Sequence, residues 1–299
     1  MEAISHPNNL VKKAKAMGLP ALAITDYNGM YGIPAFYLAA KEAGINAILG
    51  VELGFVLDLK GNYLTKYIGN MCLLAINDEG YYNLMKLTSF ANQEGIEGKP
   101  KIDFTTLKTH HEGIIVFYGG TESRVGKMIL SGEPEERILE IHEMIQEVFQ
   151  ENCYFEITAQ EEELLSELPK VNQLLLHLAR KTDTLCIVNN NYFYPEPKDK
   201  PIREMALAIK DNMKMYDAQR RQPVGEYHLM TEEEIKKICL KNGYKEEQIA
   251  EWIENNEHIA AQAHAKIHLG QALFPVYETP EEIKQLYDQH KDKLIENSK

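Results

Sequence analysis

Pro20-Ala21-Leu22-Ala23-Ile24-Thr25-Asp26-Tyr27-Asn28-Gly29-Met30-Tyr31-Gly32 decides the architecture of this chain. A short apolar run, Pro20 to Ile24, predicts a buried strand, and Thr25 to Gly29 supplies a polar turn. Ile33 to Ala43 then has helical spacing and is closed by Gly44, a residue suited to the left-handed end of a helix. Upstream, Asn8 to Met17 repeats the theme: Leu10, Val11 and Ala14 share one face, Lys12, Lys13 and Lys15 the other, and Gly18 ends the helix. One strand between two helices is the unit from which an α/β fold is built.

The unit recurs. Apolar stretches at Asn46–Leu53, Met71–Ile76, Gly113–Tyr118, Cys153–Thr158 and Leu185–Val188 read as strands, the first continuing through Gly54–Leu59. Gly80–Asn92, Glu135–Gln150 and Val171–Arg180 read as helices between them. Short apolar strands separated by helices predict a parallel sheet covered by those helices, and a (β/α) barrel places its working residues at the strand C-terminal ends. After Asp199 the pattern turns helical: Pro201–Ile209, a helix opened by the capping-box-like Thr231-Glu232-Glu233-Glu234, Glu246–Ala265, and a polar helix from Thr279. Leu273-Phe274-Pro275 reads as an extended exit. The expected division is therefore a barrel over 1–210 and a mostly helical extension over 211–299.

Composition excludes several classes. At 299 residues, 44% hydrophobic and 26% charged, the chain has ordinary globular character. No apolar run approaches the roughly 18–20 residues of a membrane-spanning helix. The start, Met1 to Pro7, lacks the basic flank and apolar stretch of a signal peptide, so the cytoplasm is the expected location. Cys72, Cys153, Cys186 and Cys239 form no CxxC pair and read as buried reduced thiols. A net charge of −13 offers little to a phosphate backbone, so direct DNA binding is expected to be slight. Lys236-Lys237 with Lys241, beside Glu232-Glu233-Glu234, reads as a solvated helix face.

The opening stretch resembles the PALALTDHGNxxG signature of the PHP (polymerase and histidinol phosphatase) domain of bacterial DNA polymerase III alpha subunits, with Tyr27 in place of the His. Further segments resemble the family in order: Gly50-Val51-Glu52, Leu73-Leu74-Ala75-Ile76-Asn77 through Gly80-Tyr81-Tyr82-Asn83-Leu84, and Gly113-Ile114-Ile115-Val116 before Gly119-Gly120. Asn190-Asn191-Tyr192-Phe193-Tyr194, Tyr227 to Ile235, and Leu269-Gly270 with Leu273-Phe274-Pro275 complete the series. The resemblance implies a distorted TIM-like (β/α)7 barrel with a helical C-terminal extension. The family's opening His-x-His strand would lie before Ala3. A chain that begins at Met1 is then expected to lack the first barrel strand, leaving two strand edges open unless something covers them.

Active members of the family bind two or three divalent ions, Zn, Mn or Mg, through His, Asp, Glu and sometimes Cys, and use them to activate water. Carried over by position, the ligand sites here are Asp26, Tyr27, Glu52, Asn70, Gly120, Asn191 and Phe193. Only Asp26 and Glu52 remain as weak candidate ligands, and both read equally as strand-end acids bonded to backbone amides. The resemblance thus implies an inactive centre with no catalytic residue and no cofactor. It also implies a role in DNA replication: stabilising the polymerase body of the same subunit and docking the proofreading 3′–5′ exonuclease. The alternative is a working metal-dependent phosphoesterase or exonuclease, which would need replacement ligands from His6, His110 or His111. An unrelated barrel binding a small molecule is the third reading. Elsewhere, His110-His111 read as a surface loop, His258, His264 and His268 as solvent or packing residues, Asn189-Asn190-Asn191 as turn and cap residues, and Gly119-Gly120 as a weak phosphate-loop signal.

Overall fold

A computed structural model of the chain describes residues 3–59, 68–94, 100–270 and 280–296. Helix α1 (Pro7–Ala16) starts with Pro7 at its first turn and the His6 ring accepting from the Asn8 amide. Strand β1 (Ala21–Tyr27) leads through the turn to α2 (Ile33–Ala43), which ends at Gly44 with φ of 72°. Then come β2 (Asn46–Val56), β3 (Gly69–Ala75), α3 (Asp78–Glu94), the two-residue β4 (Ile102–Asp103), α4 (Phe104–Thr109) and β5 (Ile114–Gly119). Helices α5 (Arg124–Leu130) and α6 (Glu135–Phe149) precede β6 (Cys153–Thr158), α7 (Leu168–Thr182) and β7 (Leu185–Asn189). Helices α8 (Lys200–Lys210), α9 (Glu232–Lys241) and α10 (Glu246–Gln262) follow. At the start of α9, Thr231 and Glu234 form the reciprocal capping box that the sequence predicts.

The strands form one curled sheet in the order β1-β2-β3-β5-β6-β7, with β4 beside β2. Pairing is parallel except for β3, which runs antiparallel to both β2 and β5. The expectation of an all-parallel sheet therefore fails at β3. A parallel return needs a crossover of about a dozen or more residues with a helix, and 57–68 lies at that lower limit.

Alternation sorts the strand residues onto two faces. Leu49, Val51, Leu53, Leu73, Val116 and Phe155 face outward into the main core beneath the helices. Ile48, Leu74, Ile115 and Ile187 face inward and meet Ile259 of α10 and Ala263, which caps that helix. Helix α10 thus plugs the concave side of the sheet near the N-terminal ends of the parallel strands and the C-terminal end of β3. The inward positions at the opposite end are polar, and they build the site described below.

Among the described residues no strand bridges β1 and β7. Side chains cap carbonyls on those edges instead, joined by a main-chain bond just beyond β7. The Asn255 amide donates to the Cys186 carbonyl at 2.8 Å and the Asn256 amide to the Val188 carbonyl at 2.6 Å. The Tyr192 hydroxyl donates to the Ala23 carbonyl on β1, and the Ile4 amide donates to the Phe193 carbonyl at 2.9 Å. Asn46 reaches across to the Ala260 and Ala263 carbonyls. Donors from α10 stand where a neighbouring strand would supply its N–H groups.

Two compact units meet between Ile267 and His268, so that α9 and α10 fall in the same unit as the sheet. The second unit, His268–Lys299, contains α11 (Glu281–Glu296), whose Ile283, Leu286 and Tyr287 are exposed. Leu273-Phe274-Pro275 lies outside the described residues.

Candidate functional site

At the C-terminal ends of the parallel strands, and the N-terminal end of the antiparallel β3, the polar inward positions open into a cavity of about 470 Å³. Thr25 of β1, Glu52 of β2, Asn70 and Cys72 of β3, Glu156 and Thr158 of β6 and Asn189 of β7 all line it. Strand alternation places them there: each lies an even number of residues from an inward-facing apolar neighbour on its own strand. Six of the seven positions named from the sequence, Tyr27, Glu52, Asn70, Gly120, Asn191 and Phe193, converge on this cavity. The seventh, Asp26, lines an adjoining cavity of about 680 Å³ at the β1–β7 gap, which shares Tyr27, Glu52, Asn191 and Phe193.

The individual geometries define the chemistry. Asp26 accepts from the Gly32 amide at 3.2 Å and so closes the turn before α2; burial raises its pKa. Asn70 donates to a Glu52 carboxyl oxygen at 2.9 Å. Burial, with Glu156 and Glu122 nearby, raises Glu52 to about 8 despite that bond, so it carries a proton at neutral pH. Burial likewise raises Glu156 to about 7, against the opposing hydrogen bond from Asn189. The Cys72 thiol is pushed well up by burial and by these two acids. All four cysteines are buried and free.

The mouth is aromatic. Phe193 and Tyr227 lie with ring centroids 5.2 Å apart, and the Arg203 guanidinium sits 4.1 Å from the first centroid and 4.9 Å from the second. Gly120 sits at φ of +63°, a backbone state that L side chains rarely adopt. After it, Ser123 caps the short α5 by accepting from the Gly126 amide at 2.9 Å.

The other candidate histidines serve elsewhere. His6 caps α1, and the His111 ring donates to the Lys108 carbonyl at 2.7 Å in the loop after α4. His110 ends α4, and the His264 ring bonds the Ala261 carbonyl. No histidine lines the cavity. Among the described residues no three of His, Cys, Asp and Glu are grouped to hold a metal ion. The two buried carboxyls are each held by an Asn amide donor, which points N–H groups where a cation would need oxygen or imidazole lone pairs. These residues do not fit a di- or trinuclear hydrolytic centre.

Glu156 escaped the sequence reading, together with Arg203 and Tyr227. The available signal was an acid in the middle of an otherwise apolar strand, Cys-Tyr-Phe-Glu-Ile-Thr. Such a residue is buried with a partner or faces a cavity.

A family model described as PHP domain matches residues 1–160. The DNA polymerase III subunit alpha of Buchnera aphidicola is 29% identical across 93% of this chain and 23% of its own length. That of Escherichia coli K12 is 30% identical across 90% of this chain and 22% of its own. The chain therefore spans about a quarter of the length of these relatives. An amidohydrolase from Chromobacterium violaceum, solved with bound sulfate and no metal, overlays with a TM-score of 0.39 at 14% identity. That overlay covers 64% of this chain and 84% of the amidohydrolase, a likeness too distant to bear on function.

Proposed function

As the chain belongs to the PHP domain family, we propose that it acts as the PHP region of a replicative polymerase of the DNA polymerase III alpha type, with a centre that no longer hydrolyses phosphoesters. Its work is then structural: it stabilises the polymerase body and docks the proofreading 3′–5′ exonuclease. Similarity to the alpha subunits over about nine-tenths of the chain supports the replication context. The observation that carries the loss of catalysis is the pair Glu52–Asn70 and Glu156–Asn189. Two acids are kept in a ring-lined pocket by amide donors, with no imidazole beside them. Such acids hold a proton more readily than exposed carboxylates do, whereas metal-activated water requires charged ligands and an open coordination position.

The acidic surface favours a protein partner over DNA in this reading. The cytoplasm is the location that such a role requires, and no helix among the described residues is long and apolar enough to cross a membrane.

The deciding measurement is bound metal per chain, by elemental analysis of protein purified without chelator and soaked in Mn²⁺ and Zn²⁺. Near-zero stoichiometry, with no release of nucleotides from primer 3′ ends, is the expected result. Tightly held ions, together with nuclease activity abolished by Asp26→Ala, would overturn the proposal in favour of a working phosphoesterase.

A further inference from the structure

Buried His228 holds a ring nitrogen that pairs with nothing among the described residues. The residue is 7% exposed, and its Nδ1 has no hydrogen-bond partner. An orphaned nitrogen at such depth is uncommon and carries a cost. The other nitrogen, Nε2, lies 3.1 Å from the Glu234 carboxylate in the first turn of α9. Nδ1 lies 4.0 Å from a second carboxylate oxygen, Oε2 of Glu226.

These acceptors fix the tautomer. An ionised carboxylate only accepts, so Nε2 must carry the hydrogen that reaches Glu234. In the neutral ring Nδ1 is then a bare lone pair turned toward Glu226, and neither group can donate to the other. One added proton converts that contact into an N–H donor facing a carboxylate. The remaining charged and titratable neighbours are already placed. Lys200 of α8 and the Tyr194 hydroxyl both donate to Glu226, at 2.6 Å and 3.4 Å, and Arg203 lies over the Tyr227 ring.

The main chain of Glu226 joins this cluster to the cavity. Its amide donates to the Gln160 side-chain oxygen at 3.0 Å and its carbonyl accepts from Asn190 at 3.1 Å, and both side chains line the cavity. At the other end Thr231 caps α9 through the same Glu234 that His228 bonds. Residues 226–234 therefore run from the cavity rim to the start of a helix, with His228 between the two.

We propose that His228 is a proton-operated clip: protonated Nδ1 donates to Glu226, and the imidazolium then ties the cavity rim to the first turn of α9. Histidine is the side chain that ordinarily changes charge between about pH 5 and 8. The clipped segment holds the proton more tightly than the open one, so closure is favoured as pH falls through that range. Both carboxylates are 45% exposed, which keeps the gain modest.

Nitrogen NMR of the imidazole in the full chain tests the clip, together with amide exchange over 226–234 at pH 8 and pH 5.5. Wild type is compared with His228→Gln, whose amide can still donate to Glu234 but takes up no proton, and with Glu226→Gln, which removes the charge that Nδ1 would meet. Glu52 and Glu156 also take up protons over this window, so the comparison with His228→Gln isolates the clip. Thermal melts confirm that both variants fold. At the alkaline end of its titration His228 should carry hydrogen on Nε2 alone. At the acid end both nitrogens should be protonated, with the Nδ1 proton shielded from exchange with water. Amide exchange over 226–234, corrected for its intrinsic pH dependence, should slow about two- to fivefold in wild type at the lower pH, the factor a half-exposed ion pair supports. The slowing should vanish in His228→Gln and shrink in Glu226→Gln. Hydrogen on Nδ1 at the alkaline end would overturn the tautomer and the clip with it. Equal slowing in wild type and His228→Gln would assign the effect to other acids and overturn the clip as well. No slowing in wild type would leave His228 a fixed partner of the α9 cap and nothing more. Should His228→Gln fail to fold, slowing in Glu226→Gln as large as in wild type would overturn the proposal by itself.

Discussion

Glu52 in the unfolded chain titrates near 4.5 and in the folded chain at about 8. Between those values the folded state binds more protons, so stability falls as pH rises through the window. Glu156 adds a second loss in the same direction, ending at about 7. Glu52→Gln removes the larger contribution and keeps an oxygen to accept from Asn70. The variant is therefore expected to melt higher than wild type at pH 8, with the advantage shrinking toward pH 5. Melting curves at both values check this, and a pH-independent difference would refute the assignment of a buried proton. That Glu52 belongs to the site was legible from Gly50-Val51-Glu52, although the strand does not end there: β2 runs on to Val56 and holds the acid within it. Glu156 was not, because its meaning depends on register: it pairs with Gly119 on one side and Ile187 on the other, and only that alignment turns it toward Glu52. The Gly119 pairing is close enough that a Cβ on Gly119 would lie 1.9 Å from the Glu156 carbonyl. Gly119→Ala is expected to destabilise the fold and distort the cavity, seen as a lowered melting temperature; an unchanged melt would show the loop to be looser than its geometry.

Elements are held by two sets of polar contacts that strand–helix patterning does not announce, one buried and one partly buried. His142 of α6 bonds the Tyr118 hydroxyl of β5 at 2.6 Å through Nδ1 and the Thr184 hydroxyl before β7 at 2.8 Å through Nε2. Burial lowers its pKa from 6.5 to about 4, so it is neutral in the fold. Here the unfolded state binds the extra proton, and stability is lost as pH falls from about 6.5 to about 4, opposite to Glu52. His142→Leu leaves two buried hydroxyls without this partner, at a cost of about 1–3 kcal/mol, and should flatten that acid limb in urea titrations. On α10, the asparagines that cap the Cys186 and Val188 carbonyls invite a parallel test. Asn255→Ala/Asn256→Ala is expected to cost about 1–3 kcal/mol per uncovered carbonyl and to expose β7 to strand pairing, read as lower solubility and faster amide exchange along β7. Exchange unchanged from wild type would mean the helix covers that edge by packing alone. Helix and strand positions were largely legible because periodicity and glycine stops are local. The antiparallel sense of β3 and the α10 cover were not, since both depend on which distant segment lies alongside.

At the scale of the whole molecule the helices after residue 210 complete the barrel. Ile259 and Ala263 fill the concave face, Asn255 and Asn256 cover its edge, and the Glu226 carbonyl accepts from both Gln160 and Asn190 beside the site. Asn242 donates to the Gln160 carbonyl from the end of α9. Ending the chain at residue 210 removes every one of these contacts, leaving apolar inner positions and an unpaired strand edge exposed together. Ending it at Ile267 removes none of them. The 1–267 chain is therefore expected to melt cooperatively within a few degrees of the full protein. The 1–210 chain should be insoluble, or compact without a cooperative transition and able to bind ANS. Thermal melts of the two truncations decide between a barrel with an appended extension and a barrel whose last element is α10. A cooperative transition in 1–210 would show that the first 210 residues close on themselves, making the α10 asparagines and the plug of Ile259 and Ala263 dispensable.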